Sequence, residues 1–444
     1  MANQRDINRW QKGKDHWNKW AKARLKAKEK LEKEERWAID KSIGPISAET
    51  ERWIKSANVD FVRHVFDEAA DFSGFLFPWS AIFNDTTFFE GAEFSNAAFF
   101  EGAEFSKAAF FKDVIFNNAT FSEGAEFSDA IFSKNAIFDD TTFSEGVEFS
   151  DATFSGNAWF NRATFSVYAS FPNTTFSEEA EFSDATFSGD AIFSDANFSG
   201  YVEFNRCNFV GRIDFNRATF DADAAFNYAK SGGPVSLTGA RFDVVPDFIG
   251  MSFRESVRLD DLNIVPAKRY LRRGDKNRAA RYRVLKKLAI DGLDHLREQE
   301  FFAGETRERR GNDDPTGSAK YILGFAYEIF SDFGRSVMRP LAWWALLFGV
   351  YTSFFLLTRD LAAWLNCGPH GQLPFGKAAY LSFVNSLPFI GLGKGDQIKQ
   401  ISHCLYGTGI LPLGITAWMM FQTLLSTILL FLFLLALRNH FRIK

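Results

Sequence analysis

With 444 residues and only three cysteines, the chain is long enough for two or more domains and too poor in thiols for a disulfide framework. The formal net charge of −4 conceals a segregation. Residues 83–227 hold 24 Asp and Glu against 7 Lys and Arg, a local charge of −17, so the flanks carry +13.

Residues 1–45 are rich in Lys and Arg, with Trp10, Trp17, Trp20 and Trp37 at roughly helical spacings. They read as a basic amphipathic helix. The segment lacks the apolar run of a secretory signal and is expected in the cytoplasm. Two roles stand open for it: a membrane-surface segment drawn to anionic lipid, or a solvated helix whose rings pack on the rest of the protein.

Phenylalanine is the outlier, with 53 copies. Twenty of them between Phe121 and Phe226 are separated by strictly alternating gaps of six and five, a repeat of eleven. Neither the helical period of 3.6 nor the strand period of 2.0 gives that spacing. A coil of short straight faces joined by corners does. The residue two before each Phe is small or β-branched, as at Ala125, Ala130, Ala136 and Val147, and the residue between is variable. Strand geometry turns the first and third of such a triplet inward and the middle one outward. The expected core is therefore a ladder of Phe127, Phe132, Phe138, Phe143, Phe149, Phe154, Phe160, Phe165, Phe182, Phe187, Phe193 and Phe198, each stacked on the ring one coil away. Cys207 falls in one of the small inward slots and reads as a buried, inert thiol.

This Ala-x-Phe-x-x pattern resembles the pentapeptide-repeat family in its Phe-centred variant. The resemblance implies a right-handed, four-sided β-solenoid with one short unit per face, here in coils of 22 residues with an extra corner residue on alternate faces. A flattened two-sided coil of eleven is the other geometry the spacing allows. Six or seven such coils span residues 83–226 and make a column about 30 Å tall. The solenoid domain is placed at 60–265, its last coils irregular.

From Asp275 to about Gly304, Tyr282, Leu285, Leu288, Ala289, Leu293 and Leu296 recur at helical spacing. Residues 266–310 are read as a helical cap and connector covering the open end of the solenoid, as repeat proteins require. The block also resembles the segment that follows the repeats in some bacterial pentapeptide-repeat membrane proteins. A polar linker is assigned to 311–335.

Residues 336–444 are read as an α-helical membrane domain with spans at about 340–358 and 409–437. Basic residues before the first span and after the second place both ends in the cytoplasm of a bacterial inner membrane. The connection then lies outside, where Cys367 and Cys404 are expected to form a disulfide. A zinc site of Cys367, His370, His403 and Cys404 is the rival, weakened by the adjacent His403–Cys404 pair. Residues 377–393 are apolar but too short to span, and read as re-entrant or interfacial. Span, re-entrant segment, span resembles the tetrameric two-span potassium-channel pore, and Ile390, Gly391, Leu392 and Gly393 resemble its Gly-x-Gly filter, where backbone carbonyls replace an ion's hydration shell. Pro388 and Phe389 stand in place of the preceding threonines. Gln422, Thr423, Ser426 and Thr427 lie at i, i+4 spacings in the second span and suit helix–helix hydrogen bonding, hence a homo-oligomer through the spans.

No phosphate-binding loop, zinc-protease motif or nucleophile with its base stands in the sequence. A non-enzymatic protein without cofactor or metal is expected. Three functions follow: an acidic cytoplasmic scaffold for a protein partner, tethered to the lipid bilayer; a channel-like pore with the solenoid as its regulatory domain; or a DNA-mimicking binder of a topoisomerase. Membrane tethering argues against the last, and no direct nucleic-acid partner is expected.

Overall fold

A computed structural model describes residues 2–40, 44–265, 275–310, 318–360, 374–387, 395–407 and 411–441. It divides into two compact units, residues 1–272 with 280–294, and residues 273–279 with 295–444.

The first unit is a four-sided β-solenoid. Successive two-residue strands fall in turn on four parallel sheets, and each strand pairs with the one 22 residues away: Thr120 with Thr142, Ala125 with Val147, Ile131 with Thr153, Ala136 with Ala158. The four-strand coil is thus realised and the two-sided alternative is not. Among the described residues the first face runs from Val59–Asp60 to Val257–Arg258 in ten strands, the second from Val65–Phe66 to Asn263–Ile264 in ten, the third from Ala70–Asp71 to Ala224–Ala225 in eight and the fourth from Leu76–Phe77 to Ser252–Phe253 in nine. Nine steps of stacked strands make a column about 43 Å tall.

The alternation of five and six has a structural cause at the corners. Five-residue units turn tightly, with a hydrogen bond such as Ala130 N–H to Phe127 O at 3.1 Å and a left-handed residue at the corner. These residues recur every eleven: Asp129, Asp140, Asp151, Arg162, Asn173, Asp184. Asp and Asn are enriched there because they tolerate φ > 0. Six-residue units take a wider bend, and some need glycine. At Gly189 a Cβ would fall 1.5 Å from Val167 O of the neighbouring coil.

Inside, the rings stack in columns: Phe116, Phe138 and Phe160 lie 4.8 Å apart and nearly parallel. Rings from opposite faces meet edge to face, as at Phe127 and Phe138, 5.6 Å and 88°. Both arrangements suit the aromatic quadrupole. Where the small inward slot holds a hydroxyl, it reaches a carbonyl of the adjacent coil: Thr86, Thr141 and Thr174 donate to Phe61, Phe116 and Phe149 at 2.8 Å. Cys207 does the same with its Sγ toward Phe182 O, also at 2.8 Å.

Both ends are covered. At the first, α1 (Gln4–Trp10) and α2 (Lys14–Lys33) replace the single expected helix. Trp17 is fully buried against Phe75 and Phe77, and its indole N–H donates to Leu76 O at 2.8 Å. Asn18 donates to Gly74 O and accepts from Leu76 N–H, supplying edge bonds that a further coil would have made. Of the two roles open for this segment, the rings take the packing one. A third helix, α3 (Ala48–Ala57), brings Trp53 into contact with Trp37 and Trp79.

At the other end the expected single helix stops early: α4 (Lys276–Asp291) ends where Gly292 and a left-handed Leu293 interrupt the ladder, and the following α5 (His295–Arg309) belongs to the second unit. Tyr282, Leu285, Leu288 and Ala289 are buried, whereas Leu293 and Leu296 are exposed. Arg281 anchors this cap through Asp223 at 2.6 Å and Asp247 at 3.2 Å.

The second unit is helical. The stretch assigned to a polar linker contains α6 (Ala319–Ser331), capped by Ser318, whose side chain accepts from Tyr321 N–H, and closed by a left-handed Asp332. Then come α7 (Met338–Leu357), α8 (Pro374–Ser386), α9 (Gly395–Tyr406), which the sequence reading did not anticipate, and α10 (Leu413–Phe441). Tyr351, Phe355, Ala378, Leu381, Leu405, Tyr406 and Ile415 form their shared core. Helices α7 and α10 are long and apolar enough to cross a membrane.

Candidate interaction surfaces and the polar seam

All twelve core phenylalanines named from the sequence are at most 1% exposed. Function on the column is therefore carried by what points outward, and the four faces differ. The first face presents Glu104, Glu126 and Glu148 in register. The third, opposite it, presents Asp71 and Glu93, then Glu181 and Glu203. The fourth carries an uncharged row, Thr120, Thr142, Thr164 and Thr186, and the second face carries Thr153 and Thr175. Neither acidic row is continuous: Ile82, Ser170 and Ile192 interrupt the first, and Ile115, Ile137 and Trp159 the third.

The carboxylates are ordered by neighbours. Asn84 donates to Glu104 Oε2 at 2.7 Å and Asn161 to Glu181 Oε2 at 2.8 Å. Burial, followed by the charges of Glu181 and Glu203, raises the Glu179 carboxyl above its ordinary range. Tyr201 on the same side is pushed up to about 12 by burial and by Glu203, Asp223 and Glu179. The corners balance charge differently. Arg162, Arg206 and Arg217 each hold the Asp 22 residues earlier, Asp140, Asp184 and Asp195, at 2.6–2.7 Å. The guanidinium hydrogen bonds hold those three carboxyls below the usual range. From the N-terminal cap, Lys28 reaches Glu101 at 3.2 Å while lying over the Trp37 and Trp79 rings. Burial raises the Cys207 thiol well above its ordinary pKa, which removes it as a nucleophile at neutral pH.

In the helical unit, Gln422 of α10 is completely buried and donates from Nε2 to Ser382 O, Ser382 Oγ and Ser386 Oγ of α8, each at 2.9 Å. Ser382 Oγ in turn donates to Phe348 O of α7 at 3.1 Å. One polar seam thus ties the short helix to both long ones. The sequence pointed to Gln422 but not to Ser382 and Ser386. Thr423 and Thr427 instead bond their own helix at Met419 O and Thr423 O. A second node lies between α5 and α6, where the buried Glu328 takes Arg307 and Arg310 at 2.7 Å.

Ile390, Gly391, Leu392 and Gly393 lie outside the described residues, as do Cys367 and His370. Cys404, on α9, is disulfide-bonded. Among the described residues there is no group of three or more His, Cys, Asp or Glu placed to hold a metal ion.

Coil length, sheet pairing and the Phe ladder define a β-solenoid of repeated five- and six-residue units. The family model for pentapeptide repeats matches this stretch in nine copies, among them residues 127–175, 161–208 and 182–230. The column is accordingly built of pentapeptide repeats. No curated protein and no solved structure matches the chain.

Proposed function

We propose that the protein is a non-enzymatic scaffold of the bacterial inner membrane, anchored by α7 and α10 with both termini cytoplasmic, and that its acidic column receives a basic protein partner. The observation that carries this reading is the register of Glu104, Glu126 and Glu148 on one flat face, with Glu101, Glu123 and Glu145 along the adjoining corner of the same coils. A backbone fixed by stacked coils presents them without an ordering cost on binding. A basic partner is drawn by such a field at low salt and released at high salt. The test is a photo-crosslinking residue at position 126 of the full chain in native membranes. Adducts that fall away with salt, and with Glu104, Glu126 and Glu148 all changed to Gln, support the reading; adducts indifferent to both overturn it. Labelling of single cysteines from either side of the membrane checks the topology.

A channel-like pore is the second reading, favoured by one observation. Helix α8 is too short to span and is fastened between α7 and α10 by the Gln422 seam. That is the arrangement a re-entrant helix requires. Ion flux in reconstituted vesicles, abolished by replacing Gly391 and Gly393, supports it; intact protein without flux removes it.

A further inference from the structure

The outside of the second face turns apolar in its first four coils. Val65, Phe89, Phe111 and Ile131 are 45–47% exposed, and the Phe89 and Phe111 rings stack 5.2 Å apart on the outside of the column. In the coils that follow, the outward strand positions are Thr153, Thr175, Asn197 and Thr219, and Ser133, Ser155, Ser177 and Ser199 take the place of the two rings. The same four coils carry an ordered set of charges along both edges of the face. At the corner shared with the first face the left-handed residues are Arg63, Asp85, Lys107 and Asp129, alternating in sign. At the corner shared with the third face stand Glu68, Glu90, Lys112 and Lys134, two anions and then two cations. All eight are exposed, and among the described residues the only ion pair they make is Arg63 with Asp85, at 3.4 Å.

We infer that this patch is a two-fold dimer contact: the second face of one copy packs on the second face of another, the columns antiparallel, with the axis passing between the coil of Phe89 and the coil of Phe111. A two-fold contact joins a surface to itself, so the patch must be complementary to its own reversed copy. It is so at every level. Reversal about that axis brings the first coil against the partner's fourth and the second against the partner's third. Val65 then meets the partner's Ile131, Phe89 meets the partner's Phe111, and the smaller Thr87 meets the partner's Ala109 beside them. On the first edge the alternating row sets Arg63 against the partner's Asp129 and Asp85 against the partner's Lys107. On the second edge two anions followed by two cations become, on reversal, two cations followed by two anions. Glu68 therefore meets the partner's Lys134, and Glu90 the partner's Lys112. The remaining carboxylates meet no anion: Asp67 comes opposite the partner's Ser133, and Asp113, which accepts from Asn135 N–H at 3.0 Å, opposite the partner's Gly91. Parallel columns fail the same test, because a parallel two-fold sets one edge against the other within each coil, Asp85 against Glu90 and Lys107 against Lys112. The order of charges thus names both the occupant, a second copy, and its direction. The patch is about 19 Å tall, small for a stable interface, so the contact is expected to weaken as salt rises. Two copies in one bilayer can share the axis, since it can stand along the membrane normal. The first face, with Glu104, Glu126 and Glu148, stays open.

The experiment uses the full chain in freshly lysed cells, expressed together in two differently tagged forms, one carrying Val65→Cys and the other Ile131→Cys, with the unmodified chain as control. Both positions point outward, so the core is left intact. Mild oxidation is expected to join unlike tags and not like ones, because like positions lie three coils, about 14 Å, apart across the axis and beyond the reach of a disulfide. Adding Lys112→Glu and Lys134→Glu to both forms is expected to lower that crosslink about fivefold or more, since four carboxylates then face four. Giving one of the two forms Glu68→Lys and Glu90→Lys instead is expected to restore it, since four cations then face four anions. Like-tag crosslinks as strong as unlike ones, Val65→Cys joined to another protein in place of the second copy, no crosslink at all, or a crosslink indifferent to the charge exchange each overturn the proposal.

Discussion

The column and the helical unit are held together by opposite strategies. In the column every buried group repeats: Phe138 stacks on Phe116 and Phe160 in the geometry that Phe149 adopts with Phe127 and Phe171. Cohesion is spread over many equivalent rungs, and each rung depends on its neighbours. In the helical unit specific contacts are concentrated at single points, Gln422 for α7, α8 and α10, and Glu328 for α5 and α6. Repetition gives a surface of fixed spacing. Singular contacts give an assembly in which one side chain positions a whole helix.

The comparison breaks most visibly at a central rung. Phe149→Ala removes a fully buried ring stacked on both sides and is expected to cost about 3–5 kcal/mol in denaturant unfolding of the full chain. Phe253→Ala, at the partly exposed last strand of the fourth face, should cost less than half of that. Equal losses would contradict a column in which interior rungs carry more than terminal ones. Gln422→Leu comes next. It deletes three hydrogen bonds, yet Ser386 and Ser382 keep bonds to Ser382 O and Phe348 O, so a loss of about 1 kcal/mol is expected. The sharper readout is position: protection of α8 from thiol labelling at introduced cysteines should fall, with the column unchanged.

A third prediction concerns alkali. The folded Tyr201 phenol, pushed up to about 12, stays protonated where the unfolded phenol, near 10, has ionised. Its contribution is complete below about pH 10 and is lost as the pH rises toward 12. Tyr201→Phe should flatten that part of the stability profile. An unchanged profile means that Tyr201 ionises as freely in the folded chain as in the unfolded one.

What was legible in the sequence follows the same division. The period of eleven exposed the column because identical rungs place identical residues at fixed separations, and the inward position of Cys207 followed from that count alone. The tight corners were less visible, since Asp129, Arg162 and Tyr228 share a backbone conformation but no side-chain chemistry. Helix α3 and helix α6 carried local signals that went unread. Ser47 caps Thr50 N–H ahead of α3, and Ser318 and the left-handed Asp332 bracket α6. The polarity of the flanking segments hid them. The break at Gly292 is hidden because apolar spacing continues through Leu293 and Leu296, although both are exposed. Contacts such as Gln422 with Ser382, 40 residues apart, leave no periodic trace, so only tertiary structure pairs them.

The smallest expected effect lies at the corners, where a naive count of ion pairs expects a large one. Arg217 holds Asp195 at 2.6 Å, but both side chains are more than a third exposed, so solvent and salt screen the attraction. Arg217→Ala should leave unfolding at neutral pH within experimental error. The pair still has a pH signature of fixed sign. Its hydrogen bond holds the Asp195 carboxyl below the usual carboxylate range, so what stability it lends is present above an ordinary Asp pKa, near 4, and is lost as the pH falls through the lower folded value. Wild type and variant should therefore coincide in acid, below that folded value, and differ, if measurably, only above it at low ionic strength. A difference that persists in molar salt would mean that Arg217 acts through its packed methylene stem against the neighbouring coil. The corners would then belong with the rungs as a source of cohesion, and their paired Asp and Arg would be structural in the same sense as the Phe ladder.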